Sequence, residues 1–127
     1  MHTIRLHGPW EKRIDDQSSV RIRVPELDSD HSVDEMGRQT AWYQRRFNLP
    51  TGLAADDLIL LAVSGWIGRL VSLRLNEQPL PADQPPLEVE ITRLLRPHNR
   101  LELVLAADAD QPPRLDGQIT LLIDTAG

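Results

Sequence analysis

Apolar residues along this chain fall in short segments that alternate with polar ones, and clusters of Pro, Gly, Asp or Asn interrupt them roughly every 8 to 12 residues. Alternation with period two sends one row of side chains toward a core and the next toward water, so the pattern predicts an all-β sandwich of about eight to ten strands. Thr3 to His7 reads as a first strand. Ser19 to Val24 alternates Val20, Ile22 and Val24 against Ser19, Arg21 and Arg23 until Pro25 stops it. In Ala41 to Leu49, Tyr43, Phe47 and Leu49 share a face with Arg45, while Trp42, Gln44, Arg46 and Asn48 share the other; Pro50 and Gly52 end the strand. Asp57 to Val63 carries the run LILLAV, as expected of a strand covered on both faces.

Arg69 to Leu75 alternates again, and Asn76 with Glu77 makes a tight turn into Gln78 to Leu80. The segment PADQPP is an exposed loop with few ladder donors. Leu87 to Ile91 follows as a strand, Thr92 to Leu95 fits one helical turn with Thr92 as N-cap, and Leu101 to Leu105 and Gln118 to Ile123 are the last strands. A helical reading of the Leu-rich runs fails because Pro and Gly break them too often, so no long helix is expected. The expectation is a single domain over residues 1–127.

Length sharpens this picture. A chain of 127 residues buries roughly two thirds of its unfolded surface, enough for a core without disulfides or structural metal, and falls well short of an enzyme barrel of about 250 residues. The net charge of -5 argues against a general phosphate-backbone binder, so no nucleic-acid partner is expected. Thirteen of the 14 basic residues are Arg, and Lys12 is the only Lys; the excess suits bidentate anion recognition or reflects coding bias. With no Cys, disulfide scaffolds, thiol catalysis and cysteine-zinc sites are excluded. His2, His7, His31 and His98 show no metal-binding spacing. The sequence shows neither an apolar leader nor a membrane-length apolar run, and the protein is expected to be soluble and cytoplasmic, with no membrane partner.

The central segment resembles the N-terminal sugar-binding domain of family 2 glycoside hydrolases, the β-galactosidase and β-glucuronidase type. That family carries a Trp-Tyr-Arg-Arg-x-Phe-x-Leu-Pro strand, matched by Trp42, Tyr43, Arg45, Arg46, Phe47, Leu49 and Pro50 with Gln44 inserted. Upstream, Val24 and Pro25 and then Met36, Gly37 and Arg38 are similar to its Val-Pro and Gly-Arg turn. Downstream, Val71, Leu73, Leu75 and Asn76, then Glu90, Ile91, Thr92, Leu94, Leu95, Pro97, Asn99 and Leu101 follow its order. The resemblance covers residues 20 to 105 and implies a jelly-roll sandwich of the galactose-binding-like class. It carries over no catalytic residue, because that family's two carboxylates lie in a barrel outside this domain. Glu77 stands where the family's turn has Gly, which predicts a different hairpin turn, and PADQPP replaces an aromatic-rich stretch.

Candidate chemistry is sparse. Asp15 with Asp16, Asp34 with Glu35 and Asp56 with Asp57 lie in expected turns, where solvent keeps both members of a carboxylate pair ionised, unlike a glycosidase pair. Ser64 lacks the surroundings of a nucleophile elbow and reads as a strand end. Hard cations want several oxygens from one loop, so Asp28, Asp30, Asp34 and Glu35 are the candidates for calcium, with Asp108 and Asp110 a second cluster. Neither has an established motif spacing, and no cofactor is expected.

Sugar recognition needs an aromatic plate beside polar side chains, and the chain has only three Trp, one Tyr and one Phe. Trp66, in the turn between Gly65 and Gly68, is the candidate plate, with Trp10, Arg45, Arg46, Asp34 and Arg38 as candidate neighbours. Against this, all three Trp could complete the core. Three functional expectations stand, the first two being a non-catalytic carbohydrate-binding or accessory module, or a structural sandwich that has lost sugar binding and packs on a protein partner or on itself. A fragment of a longer glycosidase is the third.

Overall fold

The computed structural model describes residues 2–15, 17–26, 39–81, 84–107 and 112–124. Among them the alternating segments sort into ten strands, β1 (His2–Arg5), β2 (Trp10–Ile14), β3 (Val20–Ile22), β4 (Thr40–Asn48), β5 (Leu58–Val63), β6 (Arg69–Leu75), β7 (Gln78–Pro79), β8 (Leu87–Glu90), β9 (His98–Ala106) and β10 (Ile119–Asp124). They form two antiparallel sheets, one ordered β1-β10-β5-β8 and the other β3-β2-β4-β9-β6-β7. The inner faces meet in one core: Ile59, Leu61, Val63, Leu121 and Ile123 from the smaller sheet oppose Trp10, Tyr43, Leu73, Leu101, Leu103 and Leu105 from the larger. This is the β sandwich that the alternation implies.

Strand β2 is the element the apolar pattern conceals. Its inward positions are Trp10, Lys12 and Ile14, and the Lys in the middle breaks the hydrophobic alternation that marks a strand. The LILLAV strand also departs from expectation. Ile59, Leu61 and Val63 are buried, but Leu60 and Ala62 are half-buried and Leu58 is exposed, so among the described residues β5 has one covered face. Its entry is set by Asp57, whose carboxylate accepts the Ala54 N–H at 2.8 Å while the Asp57 N–H donates to the Ala54 carbonyl.

Thr92 opens a 3-10 turn, Thr92–Leu94, yet does not cap it. Its Oγ1 instead accepts the Ile59 N–H at 2.9 Å, tying the turn to β5. The hairpin between β6 and β7 corrects a second expectation. Leu75 pairs with Gln78, leaving two turn residues, and both Asn76 (φ 51) and Glu77 (φ 70) are left-handed. Two positive φ values mark a type I′ turn, the form an Asn-Gly pair adopts, so Glu77 keeps that turn rather than changing it. The Asn76 side chain explains how. Its Nδ2 donates to the Leu94 carbonyl and to Asn99 Oδ1, and its Oδ1 accepts the Arg100 N–H at 2.9 Å.

Candidate functional site

The Trp66 turn begins where β5 leaves its sheet. Gln118 donates its N–H to Ser64 Oγ at 2.7 Å, which supports Ser64 as a strand end, and the Ser64 N–H donates to the Gln118 carbonyl. Ile67 and Arg114 exchange both backbone hydrogen bonds, at 2.8 and 3.0 Å. Gly68 has φ +107, and a Cβ there would stand 2.6 Å from the Ala106 carbonyl oxygen, so the turn is held against the end of β9. In this setting Trp66 is half-buried and packs on the core. It presents part of its surface, not a free plate.

Trp10 presents none. It is 0% exposed, and its indole N–H donates to the Leu6 carbonyl at 2.6 Å. A ligand cannot stack on its ring; the role expected of it as an aromatic beside a sugar gives way to that of a core plug, because the ring lies wholly between the sheets with its N–H satisfied by Leu6. The same bond pins the crossover by which the chain passes from the smaller sheet to the larger. Leu6 donates its N–H to Ile119, Val24 donates to His7, and Gly8 and Pro9 turn into β2.

That crossover walls a cleft of about 220 Å³ lined by Pro9, Trp10, Glu11, Arg21, Gln44, Arg45 and Arg46, so Trp10 backs the cleft while its ring stays in the core. Arg45, on the inward row of β4, is half-buried where the sheet end opens. Its Nη1 donates to the carbonyls of Arg46 and, at 3.5 Å, Pro9, while its Nε is buried without an acceptor. Desolvation by this burial lowers the pKa of the guanidinium. The structure therefore joins Arg45 and Arg46 at the Trp10 crossover and parts them from Trp66. Gly68 lies at Ala106, which pairs with Thr40, and Arg45 lies five residues further along β4, roughly 17 Å away. Asp34 and Arg38, with Asp28, Asp30, Glu35, Asp108 and Asp110, lie outside the described residues. Among the described residues no group of His, Asp and Glu is placed to hold a metal.

Trp42 and Tyr43 face opposite ways, as their adjacency on a strand requires. Trp42 lies half-buried on the outer face of the larger sheet, its N–H donating to Glu102 and the Arg13 guanidinium 5.0 Å from its ring centre. Tyr43 is fully buried and its hydroxyl donates to Glu26 Oε1 at 2.6 Å. Glu26 Oε1 also accepts the Leu115 N–H, and Oε2 pairs with Lys12 at 2.7 Å. Burial, and next the Glu26 charge, push the Tyr43 phenol well above its ordinary range. Sequence reasoning missed this cluster; the signal was a lone Lys between two strand-forming apolar positions. It lines none of the clefts found among the described residues and serves the architecture, locking β2 and β4 to the segments around Glu26 and Leu115.

No protein-family model and no curated protein match the sequence. Its fold does match solved glycosidases. A β-glucuronidase from Bifidobacterium dentium, in complex with coumarin-3-O-glucuronide, aligns with TM-score 0.71 and 15% identity over 98% of this chain and 30% of its own. A β-D-mannosidase from Dictyoglomus thermophilum aligns with TM-score 0.71 and 16% identity over 96% and 22%. A β-glycosidase from Bacteroides vulgatus aligns with TM-score 0.70 and 12% identity over 97% and 20%. At such identities the likeness is one of fold. The chain spans under a third of each of these proteins, and the resemblance read from residues 20 to 105 extends in three dimensions over nearly all of it.

Proposed function

We propose that the chain is a non-catalytic accessory module of the glycosidase type, one that contacts carbohydrate without cleaving it. The observation that carries this reading is the fold match over nearly the full chain to one domain-sized part of a β-glucuronidase, a β-mannosidase and a β-glycosidase. The described residues form two sheets and no barrel, so the module lacks the frame in which such enzymes place their carboxylates. Its length relative to those chains fits equally a piece of a longer glycosidase.

The test uses the nitrophenyl β-glucuronide, β-galactoside and β-mannoside. The purified chain is expected to release no nitrophenol and to show shifts in its amide spectrum with at least one glycoside at millimolar concentration. Turnover of any of the three overturns the non-catalytic half of the reading; an unmoved spectrum with all three overturns carbohydrate contact. The reading that then replaces it is a module that packs on protein. The outer face of the smaller sheet supports this second reading, because Leu58, Leu60, Ala62 and Leu122 lie there exposed or half-buried.

A further inference from the structure

The cleft beside Arg45 adjoins two others. A cavity of about 330 Å³ lined by His7, Gly8, Pro9, Arg21, Ile22 and Arg23 shares Pro9 and Arg21 with it. Another, of about 270 Å³, shares Arg46 and is lined by Arg96, His98, Arg100 and Glu77. Together they follow the end of the larger sheet from β3 to β9, three strand spacings or roughly 14 Å. Six arginines (21, 23, 45, 46, 96 and 100) line them against Glu11 and Glu77, in a chain whose net charge is -5. Of the six, only Arg100 has carboxylate partners among the described residues, Glu77 at 3.2 Å and Glu102 at 3.0 Å.

The other five guanidinium groups are uncompensated there. Arg46 stands directly across from Arg100, whose charge Glu77 and Glu102 already offset, so Arg46 is the member of that cross-strand pair without a described carboxylate. Arg45 adds the independent observation: a half-buried cation with an orphaned Nε costs desolvation energy that no described carboxylate returns.

We propose that this groove binds an extended acidic saccharide, its sugar carboxylates received bidentately by the arginines around Pro9 and Arg46. Guanidinium presents a planar pair of donors matched to carboxylate, and five such groups with no carboxylate partner among the described residues, spread along the sheet end, suit a repeating charge better than one anion. Nucleic acid fits less well. Single strands stack their bases on aromatic platforms, and the ring nearest the groove, Trp10, is fully buried. The saccharide identity rests on the carbohydrate reading above, whereas the anion preference rests on the groove alone.

Calorimetry on the full chain at low salt tests it, with trigalacturonate as the acidic probe, galactotriose as the neutral one and a short single-stranded oligonucleotide as the third. Trigalacturonate is expected to bind about tenfold or more tighter than galactotriose, the scale of one or two charge-assisted contacts. Its affinity is expected to fall as salt rises, since these arginines are near the surface. Arg21→Gln and Arg46→Gln, both at exposed positions, are each expected to lower it several-fold while leaving the thermal midpoint in place. Equal affinity for the acidic and neutral trimers overturns this inference and leaves the carbohydrate reading standing; no binding of either overturns both. Tighter binding of the oligonucleotide, or trigalacturonate affinity unchanged in the Arg21→Gln/Arg46→Gln double variant, overturns the assignment of ligand or groove.

Discussion

Glu26 joins three distant parts of the chain through two oxygens, and the consequences can be worked out atom by atom. Its side chain is 7% exposed and that of Lys12 is 2% exposed, so removing one partner leaves an ion in a medium that solvates it poorly. Glu26→Ala is expected to destabilise the fold by about 3–5 kcal/mol in urea denaturation, mostly from stranding the Lys12 ammonium. Tyr43 supplies a pH signature. Its folded-state pKa is raised, so the folded form holds the phenol proton more tightly than the unfolded form. The contribution is complete below the unfolded tyrosine value near 10 and is lost as pH rises beyond it, at up to about 1.4 kcal/mol per pH unit. Because Tyr43 is the only Tyr, tyrosinate absorbance reads this directly. Its appearance is expected to coincide with loss of β circular dichroism; tyrosinate forming in the intact fold would contradict the burial.

At the scale of elements, the β6–β7 hairpin shows a local rule met at some cost. Type I′ geometry demands positive φ twice; Asn76 tolerates it and binds its surroundings, whereas Glu77 carries a Cβ into the left-handed region and keeps a solvent-exposed pairing with Arg100. Glu77→Gly relieves about 1–2 kcal/mol of conformational penalty, against about 0.4–1 kcal/mol of added unfolded-state freedom and a weak surface ion pair. The net is expected to be a stabilisation of about 0.5 kcal/mol, visible as a raised urea midpoint with unchanged slope. The Trp66 turn responds in the other sense. Gly68→Ala puts a methyl against the Ala106 carbonyl at positive φ, and a loss of more than about 1 kcal/mol is expected in the same assay. Elements whose inward residues are all apolar, such as β4 near Tyr43 and β9 from Leu101 to Leu105, were legible from alternation. Strand β2 was not, since Lys12 is polar by sequence and becomes a core residue only through Glu26.

For the whole molecule, burial of the only Lys turns a chemical property into a reporter of folding. Amine-reactive reagents are expected to leave Lys12 unmodified in the native protein and to label it only at the rate at which β2 opens, because its side chain is 2% exposed and paired with Glu26. Mass spectrometry of the labelled peptide checks this; rapid labelling under native conditions would show that the sheet opens locally there.

The candidate site divides along the same line between local and distant information. Gly-flanked Trp66 and the Arg45–Arg46 pair can be picked out as unusual residues, but the sequence assembled them into one pocket, and the fold sets them at different ends of β4. Alternation and turn chemistry are encoded within a few residues, so the sequence by itself determined the sandwich class, most strands and the tight hairpin after Leu75. Which charges find partners depends on segments far apart in the chain. Only tertiary structure decided that Lys12 meets Glu26, that Trp10 is spent on the core, and that arginines from β3, β4 and β9 share a groove, because strand pairing and sheet packing bring those residues together and local sequence carries no record of either.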